Sequence, residues 1–128
     1  MNQHTCLLCM GSNYERERNM AHARETLEQL FANIRFGEEM ETEAIGNGFH
    51  SPFSNQLILI ETHMEKDEIR DTLKEIEQQI GRSPSDKAQG IVKIDIDFLT
   101  FDHQVLKAKD LQLPYIKKGM EAFSPFLF

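Results

Sequence analysis

From Ile91 to Leu99 the chain reads Ile-Val-Lys-Ile-Asp-Ile-Asp-Phe-Leu, in which apolar and charged side chains alternate with a period of two. In an extended strand that period sends Val92, Ile94, Ile96 and Phe98 to one face and Lys93, Asp95 and Asp97 to the other. A sheet built on such a strand has one face that must be covered and one that can meet water or a ligand. The rest of the chain must therefore supply more strands to pair with it and amphipathic helices to cover its apolar side.

Both are present. Ile69, Leu73, Ile76 and Ile80 recur at spacings of 4, 3 and 4, charged residues fill the other faces, and Gly81 supplies a C-terminal stop. A second amphipathic helix is predicted from about Glu15 to Ala32, with Met20, Ala23, Leu27, Leu30 and Phe31 as its stripe. Predicted strands cover Thr5–Met10, Phe36–Ala44, Gln56–Thr62 and Ile91–Phe101, with a short return through Val105–Ala108. Gly46-Asn47-Gly48 with Ser51-Pro52, and Ser83-Pro84-Ser85-Asp86, mark the longer connections. The resulting order is β-α-β-β-α-β, an α+β split arrangement with an antiparallel sheet. Neither helix can bury its stripe except against the sheet, so both are expected on one face, leaving the opposite face free for a site.

A chain of 128 residues has room for one core, and residues 1–128 are read as a single domain. Its net charge of −7 argues against sequence-independent nucleic-acid binding, which needs Lys and Arg to displace counterions from phosphates. An anionic ligand must then bind at a local cationic or metal-filled spot. Apolar runs such as Leu57–Ile60 fall far short of the ~20 residues that span a bilayer, and the polar N-terminal segment has no signal-peptide core. The expectation is a cytoplasmic protein with no membrane partner.

Cys6 and Cys9 form a C-x-x-C, but residues three apart on a strand point to opposite faces, and no second pair completes a zinc site. The histidines are scattered without metal-ligand spacing. Asp95 and Asp97 are different: their α-carbons lie about 7 Å apart on one face at ~3.3 Å per residue. That pair is either a solvated strand face or a site for hard divalent cations, which favour a few carboxylates plus water and phosphate oxygens. Gly11-Ser12-Asn13 is either a plain turn into the first helix or an anion contact through free backbone N–H groups. Phe53, Asn55 and Phe123 are either core residues or an aromatic pair with an amide, suited to a flat heterocycle.

Together these pieces resemble the 6-hydroxymethyl-7,8-dihydropterin pyrophosphokinase family across nearly the whole chain. Its members open with a strand ending LGSN, matched by Met10-Gly11-Ser12-Asn13. Their YETEPxG and PxFLN stretches correspond to Glu41-Thr42-Glu43-Ala44-Ile45-Gly46 and Pro52-Phe53-Ser54-Asn55. Their IExxxGR and LDLDIL stretches correspond to Ile76-Glu77-Gln78-Gln79-Ile80-Gly81-Arg82 and Ile94-Asp95-Ile96-Asp97-Phe98-Leu99.

The resemblance implies a ferredoxin-like fold and an ATP-dependent enzyme that transfers pyrophosphate to the pterin hydroxymethyl group, releasing AMP. It implies that Asp95 and Asp97 hold two Mg²⁺ ions and that Arg82 contacts ATP; Lys87 and Lys93 are read as nucleotide contacts that partly replace the arginines this chain lacks. Thr42 and Ile45 would meet the pterin through their backbone, Asn55 would bond its ring edge, and Phe53 with Phe123 would sandwich it. The chain departs from the family where members read RWGPR, since it has Ala88-Gln89-Gly90-Ile91-Val92, and where members carry PHP or PHY it has Pro114-Tyr115-Ile116. Those losses leave a second reading, a relative that binds the pterin without transferring pyrophosphate. The expected assembly is a monomer or weak homodimer, with Ser124–Phe128 as the candidate dimer contact.

Overall fold

A computed structural model describes residues 3–43 and 51–123. Through them run β1 (His4–Ser12), α1 (Arg16–Leu30), β2 (Asn33–Phe36), β3 (Met40–Thr42), β4 (Phe53–Thr62), α2 (Lys66–Ile80), β5 (Asp95–Phe101), β6 (Gln104–Val105) and α3 (Pro114–Glu121). Short 3-10 turns lie at Lys87–Gln89 and Asp110–Gln112. The strands form one antiparallel sheet in the order β2-β4-β1-β5-β6, with β3 also paired to β4.

β1 occupies the middle of this sheet because it is apolar on both faces. Cys6, Leu8 and Met10 pack into one layer with Met20, Ala23 and Leu27 of α1 and Ile69, Leu73 and Ile76 of α2. Leu7 and Cys9 face the other side, where they meet Leu57, Leu59, Leu99, Ile116 and Phe123. The two cysteines thus lie on opposite faces, and burial above all pushes each thiol up to about 12. A helix covers its side of the sheet only where its stripe points inward, and the stripe of α1 ends with Phe31 buried while Leu30 stays exposed. α2 begins with a reciprocal capping box between Glu65 and Glu68 and ends at Gly81, whose φ of 114° lies in the left-handed region.

The structure departs from the sequence expectation at four places. The expected layout is extended by α3, and helices do not lie on one face only. α3 covers part of the opposite face, docking closely enough that a Cβ on Gly119 would stand 2.5 Å from the Leu57 side chain. The strand expected over Phe36–Ala44 is broken in two, with Gly37 still donating to the Leu57 carbonyl at 2.8 Å before the chain leaves β4. The return expected through Val105–Ala108 is the shorter β6.

The strand expected from Ile91 starts only at Asp95. Asn13 explains the shortfall: its backbone N–H donates to the Val92 carbonyl at 2.9 Å and its side-chain oxygen accepts the Val92 N–H at 2.6 Å. Its side-chain amide also donates to the Gly90 carbonyl at 2.9 Å. The Gly-Ser-Asn turn therefore holds the approach to β5 in place. Ala44, Ile45, the Gly46-Asn47-Gly48 stretch and Ser124–Phe128 lie outside the described residues.

At the far end of the sheet His4 ties three elements together. Its Nδ1 donates to Asp102 at 2.7 Å and its Nε2 to Glu65 at 3.0 Å, joining β1 to the β5–β6 turn and to the start of α2. Carboxylates only accept, so both bonds form together only when both ring nitrogens carry protons. The hydrogen bond to Asp102, then that to Glu65, raises the His4 pKa above its ordinary 6.5. A pKa raised on folding contributes stability that is complete below the unfolded value and is lost as pH rises through the folded one. Thermal melts from about pH 5 to about pH 9 should therefore show wild type losing, above pH 6.5, an advantage over His4→Gln that it holds below it. Parallel curves for the two proteins would contradict this role.

Candidate functional site

Strand register assembles the site. Asn55 of β4 and Asp95 of β5 both pair with Gly11 of β1, and in the next row on that face Leu57 and Asp97 both pair with Cys9. The four side chains at the outer positions of these rows therefore share the face that α3 covers only in part. A β-bulge at Leu7/Leu8 lies beyond Asp97, and Thr100 fills the irregularity by accepting the Leu7 N–H at 3.3 Å.

Around these rows lies a hollow of about 190 Å³, lined by Cys9, Gly11, Thr42, Glu43, Phe53, Asn55, Asp95, Asp97, Leu113 and Tyr115. The Asn55 amide donates to the Thr42 hydroxyl at 2.7 Å, linking β4 to β3 across its wall. Gly11 makes this possible, since a Cβ there would stand 2.8 Å from the Asn55 side-chain oxygen. Phe53 and Tyr115 both border the hollow, whereas the expected partner Phe123 is buried in the apolar layer under α3, beside Gly37, and does not line it.

Two more hollows adjoin. One of about 580 Å³ lies between the end of α2 and the following loop, and holds Lys74, Arg82 and Lys87 as its cations. Another of about 270 Å³ lies between α2, β5 and the segment just after β6, with Arg70, Lys74 and Lys107 around Leu73, Phe98 and Leu106. Asp95 borders all three hollows. Lys93 lines none of them; its ammonium donates to the Gly81 carbonyl at 2.9 Å and pairs with Asp86 at 3.4 Å, tying the end of α2 to the loop.

The two aspartates carry separate counter-ions. Arg82 bonds Asp95 at 2.9 Å and also pairs with Glu77 at 3.0 Å, while Lys107 donates to Asp97 at 2.8 Å. Burial, and next the charge of Asp95, hold the Asp97 carboxyl above the usual range, with Lys107 opposing. Burial likewise raises Glu77, against the Ile96 N–H that it accepts at 2.7 Å and the nearby Arg82. Among the described residues no group of three or more His, Cys, Asp or Glu side chains is placed to hold a metal by itself. Asp95 and Asp97 nonetheless suit Mg²⁺, which takes one or two carboxylates and fills its remaining positions with water and phosphate oxygens.

Sequence reasoning assigned no role to Glu77, Lys107 or Tyr115. Glu77 follows Leu73 by four residues and so lies at the border of the apolar stripe of α2, a position that singles out a carboxylate for partial burial. Tyr115 reaches the site from α3, an element that no periodicity announced, and Lys107 from just after β6, inside the expected return through Val105–Ala108.

Residues 7–125 match the family model described as 7,8-dihydro-6-hydroxymethylpterin-pyrophosphokinase (HPPK). No described helix is long and apolar enough to cross a membrane.

The Gly11–Asn55 contact is testable without a ligand. Overpacking at such a site costs about 1–3 kcal/mol, so Gly11→Ala should lower the denaturant midpoint, and by clearly less in an Asn55→Ala background. An equal loss in both backgrounds would show that the amide does not set the limit.

Proposed function

The chain belongs to the 7,8-dihydro-6-hydroxymethylpterin-pyrophosphokinase family, and from that premise we propose that it transfers pyrophosphate from ATP to the hydroxymethyl group of 6-hydroxymethyl-7,8-dihydropterin, releasing AMP, as a step of folate biosynthesis. The observation that carries the reading is the position of Asp95 on the border of all three hollows. One carboxylate is thereby shared by a small pocket with aromatic walls and two larger ones with cationic walls. A flat heterocycle and a polyphosphate can meet there.

In this reading the pterin lies in the hollow between Phe53 and Tyr115, with the Asn55 amide and Thr42 at its polar edge. Tyr115 takes the place that the resemblance gives to Phe123. Ile45 keeps its proposed backbone contact. ATP occupies the cationic hollows, its phosphates met by Arg82 and Lys87, while Lys93 acts on the nucleotide only by fixing the loop. Asp95 and Asp97 would hold two Mg²⁺ ions, which would supply neutralisation of phosphate charge. Glu77 orients Arg82 and anchors the Ile96 N–H, so it fixes both the cation and the strand that presents the aspartates. β1, α1, β2, β4, α2 and β5 make up the ferredoxin-like unit, with α3 adding the Leu113 and Tyr115 wall.

A second reading, pterin binding without transfer, is favoured by the loop before β5. Val92 stands where the family carries an arginine and is bonded through its backbone to Asn13, and among the described residues the cations of that loop that line a hollow are Arg82, held by Glu77 and Asp95, and Lys87. Losing one charge-stabilising donor costs on the order of 10²–10³ in rate, so the proposed transfer is slow for its family.

Mixing the protein with ATP, Mg²⁺ and the pterin should release AMP that depends on the pterin. Asp95→Ala/Asp97→Ala should lower that rate by at least on the order of 10². Equal AMP release from both proteins would refute transfer at these carboxylates. Pterin binding with no AMP from wild type would establish the second reading instead.

A further inference from the structure

Arg82 and Lys107 are both paired with the aspartates, but they are held differently. Arg82 is shared between two carboxylates, Glu77 at 3.0 Å and Asp95 at 2.9 Å, so leaving one still keeps it on the other. Lys107 has one salt-bridge partner, Asp97 at 2.8 Å, and its side chain is 47% exposed. Its backbone is anchored apart from that bond: the N–H groups of Leu106 and Lys107 donate to the Leu99 carbonyl at 2.9 and 3.4 Å. The flexible stem can therefore release the ammonium without disturbing β5 or β6. The hollow that it borders, with Leu73, Phe98 and Leu106 on its walls, gives the stem an apolar surface to lie on.

A divalent cation on Asp97 meets a carboxylate whose Oδ1 this ammonium already holds, and two cations on one carboxylate repel each other. We propose that Lys107 and a divalent cation are alternative partners of Asp97, so that Lys107 sets the concentration at which the metal binds. The inference rests on the metal site of the proposed function. It adds to it a built-in competitor: in the metal-free molecule Lys107 relieves the repulsion between Asp95 and Asp97, and metal binding releases it toward the cationic hollow. A lysine suits this exchange better than an arginine, since its ammonium is a point charge on a flexible stem with no bidentate hold on the carboxylate.

The test is titration of Mn²⁺ as the probe ion, with free Mn²⁺ read by electron paramagnetic resonance, on wild type, Lys107→Met, Lys107→Arg and Asp97→Asn. Circular dichroism confirms that each is folded. Exposed ion pairs of this kind contribute up to about a five-fold effect. Lys107→Met should therefore bind Mn²⁺ about two- to five-fold more tightly than wild type, Lys107→Arg should bind no more tightly than wild type, and Asp97→Asn should bind weakly. Unchanged or weakened binding by Lys107→Met, or tightening by Lys107→Arg as large as that by Lys107→Met, overturns the competition while leaving the metal site standing. Binding that Asp97→Asn does not reduce, or no binding by any of the four, overturns the metal site and the competition with it.

Discussion

Burial of β1 on both faces is the constraint from which the rest of the architecture follows. A strand with apolar side chains up and down must be paired on both edges and covered on both sides. β4 and β5 supply the pairing, α1 and α2 one cover, and α3 part of the other. The cover by α3 is incomplete at the Gly11 end, and there the side chains of β4 and β5 change from Leu57 and Leu99 to Asn55 and Asp95. The candidate site is the place where the second core stops. Its geometry is set by strand register, which holds side chains more firmly than a loop would.

Charge then divides the labour at that boundary. Burial disfavours the ionised form of Asp97, and the charge of Asp95 on the same strand face adds to the effect. Arg82 and Lys107 compensate, one from the end of α2 and one from beyond β6. Glu77 is drawn into the same network, where it joins Arg82 to the first bonds of β5. Cations thus gather around Asp95 on an acidic protein, Lys74, Arg82 and Lys87 in one hollow and Arg70, Lys74 and Lys107 in another, interleaved with the carboxylates.

What could be read from the sequence was what has a period. The stripes of α1 and α2, the two-faced β1 and the shared face of Asp95 and Asp97 all follow from periods of 3.6 or 2. What could not be read depended on single contacts. The late start of β5 follows from Asn13 bonding Val92, a contact between residues 79 apart in sequence. The break after Phe36 and the docking of α3 follow from Gly37 and Gly119 lying close against Leu57. Tyr115 joins the site because a short element delivers it, and an eight-residue helix carries too few residues to show a pattern, while Lys107 lies in the expected return but joins the site through a single bond to Asp97. Phe123, expected opposite Phe53, is buried in the second apolar cluster, against which Tyr115 packs.

The central claim is that Asp95 marks the junction at which a pterin and a polyphosphate meet. A crystal structure of the protein with Mg²⁺, a non-hydrolysable ATP analogue and the pterin tests it most directly. The account predicts the pterin ring between Phe53 and Tyr115, the phosphates beside Arg82, and the hydroxymethyl group and the phosphate chain both facing Asp95. A pterin bound away from the Asn55–Thr42 wall, or phosphates that do not approach Asp95, would contradict it.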